Sequence, residues 1–156
     1  MKSKQSNLHF FFLLLFTLIG FSSCSDDTNT DDIVPYVRIS FKYIDNNNAL
    51  GAVGNSVYLD ENDIVTSSAG YNGHGIIIVR LTKGYAAYDA TCTNDVESEY
   101  HVELDGTFAI CPVCGSKFNI LQDGQPFNGS KAIYNLIQYK TSSTSEGNHA
   151  SIRVYN

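Results

Sequence analysis

The sequence predicts an all-β fold, an antiparallel sandwich or barrel, on three observations. Residues 37–43, Val-Arg-Ile-Ser-Phe-Lys-Tyr, alternate apolar and polar side chains, the period of a half-buried strand. Similar short runs recur along the chain between Asn-, Asp- and Gly-rich turns. No stretch after residue 23 sustains a helical period for three turns. With 156 residues, 43% hydrophobic and 17% charged, the composition suits one globular domain of ordinary size and not two.

The chain opens on basic Met1-Lys2-Ser3-Lys4, and residues 8–21 are an apolar run broken only by His9, Thr17 and Gly20. This reads as a secretory signal peptide, residues 1–23, removed on export. The run is short of the roughly 20 residues a spanning helix needs, and no basic stop-transfer cluster follows. Ser22-Ser23 before Cys24 resembles a bacterial lipobox, with Phe21 where Leu is usual. That resemblance implies an acylated Cys24 anchoring the protein to a bacterial outer membrane, each buried methylene contributing about 0.8 kcal/mol. Residues 24–32 are polar and acidic after Cys24 and form a flexible tether. Ser25-Asp26-Asp27 also resembles the surface-export signal of Bacteroidetes lipoproteins, which implies a domain facing outward rather than into the periplasm. The folded part is residues 33–156. Without residues 1–23 the chain carries 8 basic and 16 acidic residues, a net of −8, which argues against a phosphate-binding nucleic-acid protein.

Within the folded part the first strand is 37–43, with Val37, Ile39, Phe41 and Tyr43 inward. Asp45-Asn46-Asn47-Asn48 turns the chain, because Asx side chains bond their own backbone and tolerate positive φ. Further strands are expected at 56–59, 75–82, 85–89, 100–104, 107–111, 117–121, 133–140 and 150–155. Gly70-Tyr71-Asn72-Gly73, Asp105-Gly106 and Asp123-Gly124 are the turns between some of them.

The chemistry lies in three thiols. Cys111-Pro112-Val113-Cys114-Gly115 is a knuckle that turns two sulfurs toward one point, with Gly allowing the tight turn behind them; it is half of a metal site. Cys92, at the end of a predicted strand, is one hairpin away, since residues 100–110 folded back at Asp105-Gly106 return the chain to its start. Cys92, Cys111 and Cys114 are therefore expected to converge. Asp95 stands three residues after Cys92, the spacing of Cys111 to Cys114, and a carboxylate is an acceptable fourth zinc ligand. His101 is the reserve candidate.

Cys92-Thr93-Asn94, then sixteen residues, then Cys111-Pro112-Val113-Cys114-Gly115-Ser116-Lys117-Phe118, followed by a Gly124 and Pro126 turn, resembles the Rieske domain family over roughly residues 75–141. The family pattern is C-x-H, about sixteen residues, then C-P-x-H-G-S-x-F. The resemblance implies a Rieske-like sandwich or barrel with a two-loop metal-binding subdomain. It also implies a 2Fe-2S cluster held by two Cys on one iron and two His on the other. Here Asn94 and Cys114 replace the two His; an amide is a poor iron ligand, and the Cys114 thiolate a good one.

Three occupants stay open: a 2Fe-2S cluster on Cys92, Cys111, Cys114 and an oxygen or nitrogen ligand from Asp95, Asn94 or His101; a single zinc ion on the same residues; or no metal. For the last, the resemblance implies that Cys92 and Cys111 lie close enough for a disulfide, which would stabilise by roughly 3 kcal/mol. A thiol exchanger using Cys111 and Cys114 is disfavoured because no helix follows them, and covalent haem is excluded because Gly115 stands where His is needed.

His74 reads as a turn residue, and Glu97, Glu99, Glu103 and Asp105 as a solvated face. There is no G-x-S-x-G elbow, P-loop or dinucleotide fingerprint. Family members that oxygenate substrates carry a separate catalytic iron domain, for which residues 33–156 leave no room. The expectation is thus a domain that is not an enzyme by itself, with no catalytic residues: an electron-transfer metalloprotein with an unnamed redox partner, or a cluster-free surface interaction domain.

Overall fold

The computed structural model describes residues 33–146 and 149–156, with the Glu146 side chain left out. The leader, Cys24 and the tether to residue 32 lie outside the described residues. Among the described residues ten strands form, all paired antiparallel: β1 Ser40–Ile44, β2 Ser56–Leu59, β3 Ile76–Arg80, β4 Tyr85–Asp89, β5 Glu103–Asp105, β6 Phe108–Ile110, β7 Lys117–Asn119, β8 Gln125–Pro126, β9 Gln138–Glu146 and β10 His149–Tyr155. A single 3₁₀ turn at Tyr71–Gly73 is the one helical segment among the described residues. The expected all-β antiparallel architecture holds.

The strands make a six-stranded sheet, β1-β10-β9-β4-β3-β2, and a four-stranded sheet, β5-β6-β7-β8. Ile76-Ile77-Ile78-Val79 of β3 is a continuous apolar run because both of its faces are covered. Ile76 and Ile78 face a core with Ile39, Phe41, Leu59, Tyr139, Ile152 and Val154. Ile77 and Val79 face a second core with Tyr88, Cys92, Val102, Cys111, Phe118, Ile120 and Leu136. Two of the thiols are thus rooted in the apolar layer that joins the small sheet to the large one.

Several expected strands shift by a residue or two at an end, and the one expected at 100–104 pairs only at 103–105; three further differences have a local reason. The inward positions of 37–43 are as expected, but pairing starts only at Ser40. Before it, Asn156 takes the Ile39 N–H on Oδ1 at 3.1 Å and gives its own amide to the Val37 carbonyl at 2.6 Å, so side chains stand in for a ladder. The expected strand at 133–140 is a loop as far as residue 137, and β9 runs on through polar 141–146. Its partner is β10, from Lys140↔Tyr155 to Glu146↔His149. Ser142, Ser143, Thr144 and Ser145 are exposed, so the backbone ladder alone defines that strand. β8 forms where a turn was expected; Pro126 is tolerated because β8 is an edge strand.

Candidate metal centre

Cys92 and Asp95 sit in the loop that leaves β4. Asp89 at the end of β4 is 1% exposed and fully engaged. Its carboxylate accepts N–H bonds from Thr91 at 2.9 Å and Tyr71 at 2.8 Å, and the Tyr139 hydroxyl at 2.7 Å. This fixes the exit of the strand, and Thr93 then donates its hydroxyl to the Tyr134 carbonyl at 2.8 Å. Between them Cys92 is fully buried. A tight turn follows, with the Asp95 N–H on the Cys92 carbonyl at 3.2 Å, and the Asp95 carboxylate lies within 4.8 Å of the Cys92 sulfur.

The other half is the knuckle between β6 and β7. The Gly115 N–H bonds the Cys111 carbonyl at 2.9 Å, and the Cys111 N–H bonds the Ser116 carbonyl at 2.9 Å. Gly115 has φ +75, a conformation that side chains with a Cβ rarely adopt. The Cys114 N–H points at the Cys111 sulfur, 3.5 Å away. The hairpin β5–β6, closed at Gly106 with φ +60, carries the chain between the two halves as the sequence suggested.

The two turns face each other. One ligand atom each from Cys92, Asp95, Cys111 and Cys114 lie within 4.8 Å of one another. Cys92 Sγ is 3.6 Å from Cys114 Sγ, and Cys111 Sγ is 3.9 Å from Asp95 Oδ2. Cys92 and Cys111 are buried, while Asp95 and Cys114 are half-buried and close the outer side. All three cysteines are free thiols. Burial pushes the Cys92 thiol up, against the Asn94 and Asp95 N–H groups, which favour its thiolate. Burial also raises Cys114, with Asp95 and Cys111 adding to the rise and Ser116 opposing it. Without a cation their surroundings disfavour the Cys92 and Cys114 thiolates.

A single tetrahedral ion at a metal–sulfur distance of about 2.3 Å places its sulfurs about 3.8 Å apart. The 3.6 Å pair matches that edge. Three thiolates and one carboxylate are moreover a zinc-type donor set. A binuclear cluster would need its two ligand pairs drawn apart by the length of the Fe2S2 rhomb, whereas these four atoms all lie within 4.8 Å of one another.

The other candidates lie outside this group. Asn94 contributes its backbone to the Cys92 sulfur. His101 stacks on Tyr58 with ring centroids 4.4 Å apart, and its Nδ1 lies 2.9 Å from the Val102 carbonyl. His74 is buried with Nδ1 on Thr91 Oγ1 at 2.9 Å. Sequence reasoning quoted Ser116 in the Gly115-Ser116-Lys117-Phe118 tail but gave it no role at the site. Its fully buried hydroxyl lies 3.1 Å from Cys114 Sγ and accepts the Ala132 N–H at 2.9 Å, tying the knuckle to the loop before β9. The Gly-Ser pair after the knuckle was the available signal.

No family model matches the chain, and no curated protein matches it. Among solved structures, the complex of reduced oxygenase and oxidized ferredoxin in carbazole 1,9a-dioxygenase is similar at a TM-score of 0.47 and 21% identity, over 75% of this chain and 93% of that chain.

Proposed function

We propose that this is a Rieske-like metal-binding domain in which Cys92, Cys111, Cys114 and Asp95 hold one tetrahedral ion, zinc by preference, and that the ion locks the two loops into a stable surface. The observation that carries this is the convergence of those four ligand atoms within 4.8 Å. The domain is non-catalytic by itself. Its leader and Cys24 make it a lipid-anchored protein of a bacterial outer membrane, and its partner is a protein at that surface.

A second reading is favoured by the Cys92…Cys111-Pro112-Val113-Cys114-Gly115-Ser116-Lys117-Phe118 pattern: a 2Fe-2S electron carrier, the loops parting to admit the cluster, with a redox partner. Metal and acid-labile sulfide content of anaerobically purified full-length protein separates the two. Zinc at one per chain without sulfide is expected. Iron with equal sulfide supports the carrier instead, and protein free of both metals overturns the metal site.

A further inference from the structure

We infer that the metal centre is also a thiol redox site, in which Cys92 and Cys114 form a disulfide that displaces the ion. This rests on the ion site proposed above, but its geometry stands by itself. Cys92 Sγ and Cys114 Sγ are in van der Waals contact at 3.6 Å although twenty-two residues apart in sequence. Cys111 Sγ also lies within 4.8 Å of both sulfurs, but it is engaged as well by the Cys114 N–H and by Asp95 Oδ2. Its side chain is 1% exposed. Cys114 alone of the three is half-buried, and it follows Val113, 54% exposed at the tip of the knuckle. An oxidant arriving from solvent therefore meets Cys114 first, and Cys92 is the thiol positioned to resolve the product.

The oxidant is a hydroperoxide. The Cys114 thiolate attacks one peroxide oxygen, the O–O bond breaks, and with one proton the products are Cys114 sulfenic acid and water, or the alcohol when the hydroperoxide is organic. The Cys92 thiolate then attacks the Cys114 sulfur. The S–S bond forms, the S–O bond breaks, and hydroxide leaves as water with a second proton. In total two thiolates lose two electrons and one peroxide gains them, giving two waters when hydrogen peroxide is used. Cys111 and Asp95 remain, two donors where four held the ion, and the ion is released. The pairing differs from the Cys92–Cys111 bridge that the Rieske resemblance implied.

The test exposes full-length protein to stoichiometric hydrogen peroxide. Released metal is followed with a chromogenic chelator, and disulfides are mapped by mass spectrometry of non-reduced peptides. The expected result is a Cys92–Cys114 linked peptide appearing together with loss of one ion per chain, both reversed by a phosphine reductant with added zinc. Cys111→Ala should still form the link, and Cys114→Ala should form none. A Cys92–Cys111 or Cys111–Cys114 link, or metal loss with only sulfinic products, overturns the inference. Protein that carries no metal at the outset refutes the ion site, and its peptide map still decides the pairing.

Discussion

Asp95 is the proposed ligand whose role is most open to direct test. Asp95→Asn keeps the side-chain size and the turn while replacing a charged oxygen by an amide, a weaker zinc donor. Zinc affinity measured by chelator competition should fall at least about tenfold, in line with the cost of disturbing metal-site partners. Asn94→Ala and His101→Ala should leave it within a factor of about two, because neither side chain is in the ligand group. Equal losses for Asp95→Asn and His101→Ala would remove Asp95 from the centre. These placements also show what a sequence can reveal about a site. The thiols and Asp95 were legible because each pair is three residues apart, and a tight turn brings such a pair together whatever the surrounding fold. His101 was not assignable, since its stacking on Tyr58 depends on how the loop before β5 meets β2, a contact between residues 43 positions apart. The role of Ser116 was missed for a similar reason: its link to Ala132 joins two loops whose proximity only the fold creates.

Strands were readable where burial imposes a period and unreadable where hydrogen bonding alone defines them. β2, β3 and β4 carry apolar positions that alternate or run continuously, and the expected segments contain them. The polar half of β9 has no such signal, because its side chains from Ser142 to Ser145 are all exposed and the strand exists through its ladder to β10. The missing start of β1 is the reverse case, an apolar alternation whose backbone is taken up by a side chain. Asn156 serves the Ile39 N–H, the Val37 carbonyl and the Tyr36 hydroxyl, the last at 3.2 Å. Asn156→Ala should remove the first two bonds and cost about 0.5–1.5 kcal/mol in urea unfolding, while leaving bound metal unchanged because the two sites lie on separate cores. Unaltered stability would mean that water satisfies the terminal segment as well as Asn156 does.

The two cores meet across β3 and β4, and Tyr88 is where that arrangement carries an evident cost. Its ring fills the core shared with Cys92 and Cys111, and its hydroxyl is the buried side-chain oxygen or nitrogen left without a hydrogen-bond partner among the described residues. Gly124 is kept small beneath it: a Cβ there would lie 3.1 Å from the Tyr88 ring, at φ +65. An unsatisfied buried hydroxyl costs about 1–3 kcal/mol, so Tyr88→Phe should be at least as stable as the parent at pH 7. The same residue sets an alkaline limit. Burial first, and the Asp123 charge second, raise its hydroxyl above the ordinary 10.0. The folded state therefore holds a proton that the unfolded state releases above pH 10.0, and stability is complete below that value and declines as pH rises through it. Removing the hydroxyl should make the decline shallower by about 1.4 kcal/mol per pH unit above 10, with the buried Tyr139 hydroxyl continuing to contribute its own share. Urea titrations of parent and Tyr88→Phe at pH 7 and at steps above pH 10 measure both effects. An unchanged alkaline slope would mean that the Tyr88 hydroxyl already reaches solvent. Metal content preserved in Tyr88→Phe would show that the second core supports the thiols through the packing of its ring and not through its oxygen.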